Sequence, residues 1–253
     1  MFGSTDSFGF KVKDFQPPAH TKEQTVQRMF SSIAPSYDLN NTLLSFGLHH
    51  YWKRLAVRKA GIQEGDRVLD LCSGTADIAL RLGVEAGEKG KITALDLNRE
   101  MLSCGKKKIN QQGLSHRIRL VEGNAESLCF PNDVFAAATV GFGIRNVVDI
   151  PQAFREIFRV LRPGGKLVCL EFSRPVNGML RGLYHLYSFT ILPKIGERVS
   201  KDQTGVYNYL PDSIRHFPDQ EALKAMIQQI GFTDVAYTNL SGGIVAIHQG
   251  VKP

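Results

Sequence analysis

The segment from Gly65 to Asp77 constrains the fold of this chain more than any other. It reads GDRVLDLCSGTAD, so a short apolar run ends in small residues and a helical pattern follows. Asp70 lies near the carboxyl end of this predicted strand, and the next predicted strand, KITALD, ends in Asp96. A tight turn of small residues, with a carboxylate after the following strand, is typical of a nucleotide site at the carboxyl edge of a parallel sheet. Taken alone, the segment is equally compatible with a buried strand and turn in some other α/β protein.

The glycines that this turn lacks indicate which nucleotide it binds. A pyrophosphate needs close approach of the backbone and usually a full G-x-G-x-x-G. The comparable positions here are Cys72, Gly74 and Ala76, which are too crowded for a diphosphate. S-adenosylmethionine has no phosphate, and it needs room for a ribose and an amino-acid tail, with acids to hold its hydroxyls and ammonium. The sequence therefore favours S-adenosylmethionine, which would serve as a methyl donor.

Strand and helix patterns alternate after this segment. Strands are predicted at 67–71, 91–96, 118–122, 134–140 and 166–171, and helices at 77–85, 99–112 and 150–161. Gly164 and Gly165, after a proline, predict a helix stop and a tight turn into the fifth strand. Alternation predicts a doubly wound parallel sheet with right-handed crossovers. Two final strands, joined by a short turn, add an antiparallel hairpin (235–239 and 243–250). This α/β fold with a seven-stranded sheet resembles the Rossmann-like class I S-adenosylmethionine methyltransferase architecture.

The segments on either side of this core predict elaborations of a single domain. Apolar residues at helical spacing predict helices at 22–33 and 49–60, with a turn-rich stretch between them. A chain of 253 residues can bury one substantial core. We therefore predict one methyltransferase domain, 1–253. It comprises an N-terminal helical cap (1–60), a cofactor-binding core (61–173), an aromatic-rich substrate-side insertion (174–218) and a C-terminal part (219–253). The C-terminal part contains a helix at 220–230 and the hairpin.

Charge and cysteine usage narrow the class of protein. The net charge of +7 and the isoelectric point near 9.3 are compatible with nucleic acid, an anionic membrane surface or no specific partner. Basic residues are dispersed, and the run Lys106 to Lys108 is interpreted as a solvated helix face. Four cysteines without C-x-x-C pairing favour a reduced, cytoplasmic compartment, and we expect no metal site. The sequence contains no apolar run that could span a bilayer, and residues 1–20 lack the apolar region of a secretory signal.

Three longer motifs carry a resemblance to a known family. They are FSSIAPSYDLN continuing through LSFGLH (30–49), FGIRNVVD followed by LRPGG and LEFS (142–173), and YNYLPDSIRHFP (207–218). With these motifs the chain resembles the ubiquinone/menaquinone biosynthesis C-methyltransferase family from about residue 28 to residue 252. Many members have GGTGD where this chain has CSGTAD, a small change because Gly74 is kept. Some members have serine where this chain has Gly141, so the resemblance implies one hydroxyl contact to the cofactor fewer in this chain.

The resemblance implies S-adenosylmethionine-dependent C-methylation of a prenylated quinol, from demethylmenaquinol to menaquinol, in ubiquinone biosynthesis, or in both. It implies an enzyme peripheral to the inner face of the membrane, without nucleic acid, as a homo-oligomer or in a quinone-biosynthesis complex. Two alternatives stay open: a class I methyltransferase acting on RNA or another small molecule, and a non-catalytic quinone-pathway protein on the same fold. The insertion is either a lid and channel for a polyprenyl tail that also touches the membrane surface, or packing on the sheet edge.

The predicted cofactor site combines the strand ends with the resemblance. Asp96 would hold the two ribose hydroxyls; its alternative role is a helix N-cap, for which Asn98 competes. Asp70 would orient the loop or meet the ligand ammonium, and the residues after the third strand would bracket the adenine. The predicted cofactor-binding residues are Asp70, Gly74, Thr75, Asp96, Leu97, Asn124, Ala125 and Gly141.

The predicted catalytic residues follow the fourth strand and the first helix. A quinol ring carbon becomes nucleophilic when a neighbouring hydroxyl loses its proton, and Arg145 could stabilise the phenolate or position a water that takes the proton. A structural alternative pairs Arg145 with Asp149. The other candidates are not ranked: Asn146, Tyr37, Asp38 and His49 could orient the ring, and the last two could accept the proton.

Overall fold

The structure, a computed structural model, describes residues 22–186 and 206–253, and a mixed β-sheet runs through the middle of this part. Its strands are β1 (Arg67–Leu71), β2 (Lys91–Asp96), β3 (Ile118–Glu122), β4 (Phe135–Gly141), β5 (Leu161–Phe172), β6 (Thr233–Leu240) and β7 (Val245–Val251). Within the described residues the strand order is β3-β2-β1-β4-β5-β7-β6. The first five strands pair in parallel, and β7 pairs antiparallel with both β5 and β6. The predicted fold class is confirmed, including the terminal hairpin.

The predicted helices are also present, and their observed ends differ from the predicted ends by about one residue. The helices of the structure are α1 (Lys22–Ile33), α2 (Tyr37–Leu44), α3 (Leu48–Ala60), α4 (Asp77–Glu85), α5 (Arg99–Gln111), α6 (Ile150–Val160), α7 (Gly178–Leu186), α8 (Val206–His216) and α9 (Gln220–Ile230). The prediction of turns at 34–48 is wrong for its middle, where a 3-10 turn (Ala34–Ser36) leads into α2. The insertion contributes α7 and α8. The predictions for residues 1–21 and 187–205 lie outside the described residues.

Strand β1 lies at the centre of the sheet and determines where a ligand can bind. Val68 packs into the apolar cluster on the α3 and α4 side of the sheet, and Leu69 and Leu71 pack into the cluster on the α6 and α9 side. All three are fully buried. Because β1 is flanked by β2 on one side and β4 on the other, the chain reverses its winding direction here, and a crevice opens beyond the carboxyl ends of these strands.

The predicted turn before the fifth strand is present, and it belongs to the strand itself. Phe135 of β4 pairs with Leu161, but Ala137 pairs with Lys166, so the intervening residues of β5 bulge out of the ladder. Gly164 has a φ of +75°, which favours glycine. A Cβ on Gly165 would lie 2.6 Å from the carbonyl oxygen of Arg162. Both glycines are therefore required by the backbone of the bulge.

Two expectations from composition concern membrane spans and cysteines. No helix in the described part of the chain is long and apolar enough to cross a bilayer. The four cysteines are free thiols, and Cys169 is buried within β5. Burial raises the pKa of the Cys72 and Cys169 thiols well above their ordinary value, so both stay protonated.

Candidate active site

Two cavities open beside the carboxyl ends of β1, β2 and β4. The first has a volume of about 790 Å³, including its mouth, and contains Asp96 and Ala125 in its wall; we call it the acidic cleft. The second has a volume of about 1540 Å³ and is walled mainly by apolar and aromatic side chains; we call it the apolar cavity. Phe30, Tyr37 and Phe142 line both. The two cavities are therefore neighbours that share part of their walls.

The acidic cleft is electrostatically suited to a cation. Glu23, Asp96 and Glu126 line it, and no lysine or arginine side chain is among its described lining residues. A diphosphate would be repelled by such a wall, whereas a ligand with a sulfonium and an ammonium would be attracted. The cleft has the size of a small-molecule site. The residues present therefore fit S-adenosylmethionine.

The structure brings most of the predicted cofactor residues to this cleft. The predicted residues that line it are Gly74, Asp96, Leu97, Asn124, Ala125 and Gly141. The other two predicted residues, Asp70 and Thr75, lie behind the loop that follows β1 and are not in the cleft wall.

Asp96 ends β2 with both carboxylate oxygens bonded to backbone. Its Oδ2 accepts a hydrogen bond from the Gly74 N–H at 2.7 Å, and its Oδ1 accepts one from the Asn98 N–H at 2.8 Å. Asn98, not Asp96, caps α5, because the Asn98 side chain accepts from the Met101 N–H at 3.0 Å. Burial raises the pKa of Asp96, and the backbone hydrogen bonds oppose that rise. Each oxygen keeps a lone pair for a further donor, as binding of a ribose requires.

Asp70 links the loop after β1 to strand β4 through hydrogen bonds. Its carboxylate accepts hydrogen bonds from the Ser73 and Thr139 hydroxyls, each at 2.6 Å. Thr139 lies directly opposite Asp70 in the parallel pairing of β1 with β4. Burial raises the pKa of Asp70 to about 6, although both hydroxyls favour the ionised form. These contacts support the loop-orienting role, since both oxygens are turned toward protein donors.

This raised pKa predicts how stability depends on pH. A carboxyl whose pKa is higher in the folded than in the unfolded protein stabilises the fold below the unfolded value, and that stabilisation is lost as the pH rises through about 6. Asp70→Asn removes the ionisation and keeps one acceptor. We expect the free energy of unfolding of the variant, relative to the parent, to increase by on the order of 2 kcal/mol between about pH 4 and pH 7.5.

Chemical denaturation across this pH range measures the effect. Asp234→Asn is the matched control, because Asp234 is exposed and its positive φ suits asparagine. If the Asp70→Asn and parent curves run parallel with pH, the ionisation of Asp70 does not limit stability.

Thr75 and Asp38 belong to a charged network on the other side of the loop. The Thr75 hydroxyl donates to Asp38 at 2.6 Å, and Lys108 contacts Asp38 at 2.8 Å. Lys108 also pairs with Asp77, which accepts from Lys53 at 2.8 Å. Burial raises the pKa of Asp77, but the two lysines hold it well below its ordinary value. The interpretation of Lys106 to Lys108 as a wholly solvated face is therefore wrong for Lys108.

The two departures from the family pattern have structural consequences. Ala76, in place of glycine, has a φ of +64°, a conformation that costs an alanine energy that glycine would not pay. At Gly141 a Cβ would lie 2.3 Å from the Cδ1 atom of Ile78. Ile78 thus fills the space into which a serine side chain at position 141 would extend.

Arg145 is buried in the wall of the apolar cavity, in a 3-10 turn that follows β4. Its Nη1 donates to the Oε1 atom of Glu171 at 2.8 Å and also to the Phe142 carbonyl. The alternative pairing with Asp149 is wrong, since Asp149 caps α6 by accepting from the Gln152 N–H at 2.9 Å. The buried Nε of Arg145 has no acceptor among the described residues. The guanidinium is therefore held in place with a donor to spare.

Glu171 is the residue that the sequence reasoning missed. Its side chain is fully buried, and burial raises its pKa while the Arg145 guanidinium lowers it. The signal was present in LVCLEF, where an acid interrupts an apolar strand near its carboxyl end, as Asp70 does in β1. A buried acid in such a position needs a cationic or donor partner.

Asn146 and Tyr37 lie where the two cavities meet. Asn146 lines the acidic cleft, and its Oδ1 accepts a hydrogen bond from the Tyr209 hydroxyl at 3.0 Å. Tyr37 lines both cavities. Burial raises the pKa of Tyr37 and of Tyr209, so both phenols are protonated at neutral pH. The Tyr37 hydroxyl can donate to a ligand at this junction, whereas the Tyr209 hydroxyl already donates to Asn146.

His49 lies in the wall of the apolar cavity as a neutral imidazole. Its Nε2 is 3.3 Å from the Thr42 hydroxyl, and its buried Nδ1 has no partner among the described residues. Burial, together with Lys53 and His50, lowers the pKa of His49 to about 4. A conjugate acid of this strength makes His49 a weak proton acceptor. The neutral ring can still orient a ligand by one hydrogen bond.

Helix α1 closes the acidic cleft from above, a role that sequence reasoning did not assign to particular residues. Gln27 donates to the Leu97 carbonyl at 3.2 Å, and Asn98 donates to the Gln27 carbonyl at 3.0 Å. On the other side, Lys22 donates to the Val147 carbonyl at 2.8 Å. The helix is thus anchored to the loops after both β2 and β4. Its apolar spacing was visible in the sequence, but the polar anchors carry no pattern of their own.

Comparisons with known proteins show the family of this chain. The model of the ubiE/COQ5 methyltransferase family matches residues 19–252. A ubiquinone/menaquinone biosynthesis C-methyltransferase UbiE from Proteus mirabilis is 45% identical over 248 residues, covering 98% of this chain and 97% of the relative. The protein of the same name from Pectobacterium atrosepticum is 46% identical over 250 residues, with the same coverage, 98% and 97%.

Solved structures share the fold at low identity. A SAM-dependent methyltransferase from Aquifex aeolicus superposes with a TM-score of 0.59 at 16% identity, covering 79% of this chain and 89% of that one. The [4+2]-cyclase SpnF superposes with a TM-score of 0.69 at 19% identity, covering 94% and 98%. At such identities these similarities concern architecture alone.

Proposed function

The chain belongs to the ubiE/COQ5 methyltransferase family, and from this premise we propose how its own residues carry out the S-adenosylmethionine-dependent C-methylation of a prenylated quinol. The observation that carries the proposal is the junction of the acidic cleft with the apolar cavity at Phe30, Tyr37 and Phe142. A cationic donor and an apolar acceptor would each occupy the compartment that suits it. The family assignment favours this activity over the RNA alternative.

The methyl donor would bind in the acidic cleft. Asp96 would accept hydrogen bonds from the ribose hydroxyls, and Asn124 and Ala125 would bracket the adenine. Gly74, Leu97 and Gly141 would contact the rest of the ligand. The acidic lining supports this assignment because the bound sulfonium supplies an electrophilic methyl group and carries a positive charge.

The quinol would bind with its ring at the junction and its tail in the apolar cavity. Apolar side chains from several parts of the chain supply the tail's surroundings, among them Leu44, Leu180, Ile214 and Ile244. Transfer of an isoprenoid chain from water into such walls is favourable at about 25 cal/mol per Å². The ring would then meet Arg145, Tyr37 and His49, three of the polar residues that line that cavity.

Arg145 would activate the ring by stabilising a phenolate. Its guanidinium stays charged, so it acts as a donor and not as a base. Arg145 lines the apolar cavity, so its guanidinium is the charged donor that could contact the phenolate oxygen. Ionisation of that hydroxyl raises the nucleophilicity of the adjacent ring carbon, which then takes the methyl group and afterwards loses its ring proton.

The proton would leave by way of water and not through Asp38. Asp38 is paired with Lys108 and lines neither cavity, and His49 has a pKa too low for an efficient acceptor. A third cavity, of about 830 Å³, reaches Arg145 from its other side and is lined by Thr25, Asp212 and other polar groups. It supports a route by which water positioned by Arg145 receives the proton.

The reaction itself is tested by incubating the protein with methyl-labelled S-adenosylmethionine and a short-tailed demethylmenaquinol. Transfer of label to the ring carbon is expected. A methoxy polyprenyl benzoquinol, offered in parallel, separates the menaquinone from the ubiquinone substrate. Absence of transfer to either quinol would contradict the proposed function.

Activity should depend on tail length if the apolar cavity holds the tail. We expect kcat/KM to rise with each added isoprenoid unit until the cavity is filled, because each buried methylene contributes ~0.8 kcal/mol at most. Leu180→Ser, a change in the cavity wall, should flatten this dependence and leave a tail-less quinol turning over as before. The measurement is kcat/KM for quinols of increasing tail length, starting from none.

The neighbouring Met179→Ser variant is the control for this series, because Met179 is 80% exposed and does not line the cavity. It should preserve the parent's dependence on tail length. A flat series in the parent enzyme would show that the cavity does not bind the tail, and the insertion would then be interpreted as packing on the sheet edge.

We further propose that the enzyme takes its quinol from the inner face of the membrane, as a peripheral protein of the cytoplasmic side. A tail of several isoprenoid units partitions into lipid, so a water-filled path would be costly for it. The size and apolar character of the cavity support direct transfer from the bilayer.

A further inference from the structure

An unusually apolar corner protrudes where α2 meets α3. Five large apolar side chains there are between 45% and 81% exposed: Leu39, Leu43, Phe46, Leu48 and Tyr51. Leu39 and Leu43 are one helical turn apart on α2, and Leu48 and Tyr51 are one turn apart on α3. We call this set the apolar corner. Contiguous exposed apolar surface on a protein usually marks a binding site for another apolar surface.

The apolar corner is continuous with the mouth of the apolar cavity. Phe46 and Leu48 line that cavity and are also 81% and 45% exposed. Leu44, the last residue of α2, and Ser45 line it as well. A side chain that faces both the cavity and the solvent lies at an opening. Whatever covers the corner therefore also faces the entrance for the tail.

A basic hollow lies next to the corner along α3. It has a volume of about 1080 Å³ and is lined by Arg54, Arg58 and Arg81. The buried Nε of Arg81 has no acceptor among the described residues. Two carboxylates, Asp77 and Glu85, also line the hollow, but Asp77 is already paired with two lysines. The hollow therefore carries an excess of positive charge that suits anionic groups.

Helical geometry puts the apolar and basic groups at the depths that a lipid interface needs. Leu48, Tyr51, Arg54 and Arg58 recur at intervals of three to four residues, so they share one exposed face of α3. At 1.5 Å per residue, Leu48 and Arg54 are roughly 9 Å apart along the axis. With the N-terminal end of α3 pointing toward the bilayer, this separation would place Arg54 at the level of the headgroups while Leu48 reaches a depth within the roughly 5–10 Å typical of apolar side chains at an interface.

We propose that the apolar corner and the basic hollow together dock this protein on an anionic lipid membrane. The corner would enter the acyl boundary and the arginines would contact the phosphates. The proposal rests on the proposed function for its purpose, which is to place the tail entrance against the bilayer. A second copy of the chain is a poorer occupant, because a symmetric contact would bring the same arginines together.

Vesicle sedimentation of the full-length protein tests the surface without any turnover. The vesicles are phosphatidylcholine alone, or phosphatidylcholine with phosphatidylglycerol, and neither contains a quinol. The parent should bind the anionic vesicles and release them at high salt. Arg54→Gln with Arg58→Gln should weaken binding by roughly thirtyfold, since each cation near such a surface contributes about fivefold. Leu39→Gln, Leu43→Gln and Tyr51→Gln together should weaken it by roughly tenfold or more.

A charge-matched control removes two cations elsewhere. Lys106→Gln with Lys107→Gln, on the exposed face of α5, should bind as the parent does apart from a small long-range effect. All variants should methylate a tail-less quinol in detergent-free buffer at the parent rate, because none of the substituted residues lines the acidic cleft or the apolar cavity. Equal loss of binding in the lysine control would overturn the assignment to this surface.

Three other results would also overturn the proposal. The first is that the parent does not bind anionic vesicles. The second is that the variant with glutamine at positions 39, 43 and 51, the corner variant, binds as well as the parent. The third is that the parent self-associates with increasing concentration and the corner variant does not. The last would assign the corner to a second copy. Vesicle binding without methylation of any quinol would instead contradict the proposed function and leave the docking surface intact.

Discussion

Replacing Arg145 with alanine is expected to lower turnover by roughly a hundredfold or more, about 2.7 kcal/mol of barrier, while the affinity for S-adenosylmethionine stays nearly unchanged. The physical reason is that the guanidinium lies in the wall of the apolar cavity and outside that of the acidic cleft. Its charge would be needed when the phenolate forms and not when the cofactor binds. Single-turnover kinetics with saturating quinol measures the effect, and calorimetry measures cofactor binding.

The ion pair between Arg145 and Glu171 can be tested from the side of Glu171. Glu171→Gln keeps the shape of the side chain but removes the charge that pairs with Arg145 at 2.8 Å. It should lower turnover less than Arg145→Ala and shift the pH profile of kcat/KM to higher pH, since a less firmly held guanidinium stabilises the phenolate less. Asp149→Asn is the matched control and should leave turnover unchanged. Turnover of Arg145→Ala within a few-fold of the parent would show that Arg145 is only a structural partner of Glu171.

Replacing Asp96 with alanine is expected to weaken S-adenosylmethionine binding by at least tenfold, about 1.4 kcal/mol. The variant loses two acceptors that would face the ribose, and it also frees the Gly74 N–H, which Asp96 holds at 2.7 Å. Both effects act in the same direction. Isothermal calorimetry measures the affinity, and an unchanged value would remove Asp96 from the site.

Asn98→Ala separates ligand contacts from helix capping. Asn98 caps α5 and bonds α1, so its loss should lower the free energy of unfolding by about 1 kcal/mol. Its effect on cofactor affinity should be smaller than that of Asp96→Ala. If the two variants weaken binding equally, the role of Asp96 is to support the loop and not to contact the ribose.

The acidic residues at the strand ends were predictable from the sequence because each stands out against its immediate neighbours in the chain. Asp70 and Asp96 stand out as acids in apolar runs of strand length, and parallel strands bring their carboxyl ends to one edge. The parallel pairing of the first five strands and the terminal hairpin followed from alternation and a short turn. These features depend on residues that are neighbours in sequence, so a single chain displays them.

The contacts that join distant segments were not predictable in the same way. The sequence offered Asp149 as a partner for Arg145 because helical spacing suggests near neighbours, whereas the structure supplies Glu171 from another strand. From the sequence, Asp38 was a candidate proton acceptor, whereas in the structure it is paired with Lys108 of α5. Helix α2 was missed because Ser36, Asp38 and the asparagines that follow are common in turns. In each case tertiary packing selected a partner that local pattern does not contain.

Helix α1 has one consequence for the order of events in the catalytic cycle. Phe30 lines both the acidic cleft and the apolar cavity, and the helix that carries it is anchored beside both. Any displacement of α1 that admits or releases the methyl donor also moves a wall of the quinol compartment. Thermodynamic linkage then requires that the factor by which bound quinol tightens the donor equals the factor by which the donor tightens the quinol. If, as proposed, the donor binds in the acidic cleft and the quinol in the apolar cavity, α1 would couple exchange of the spent donor to departure of the methylated quinol.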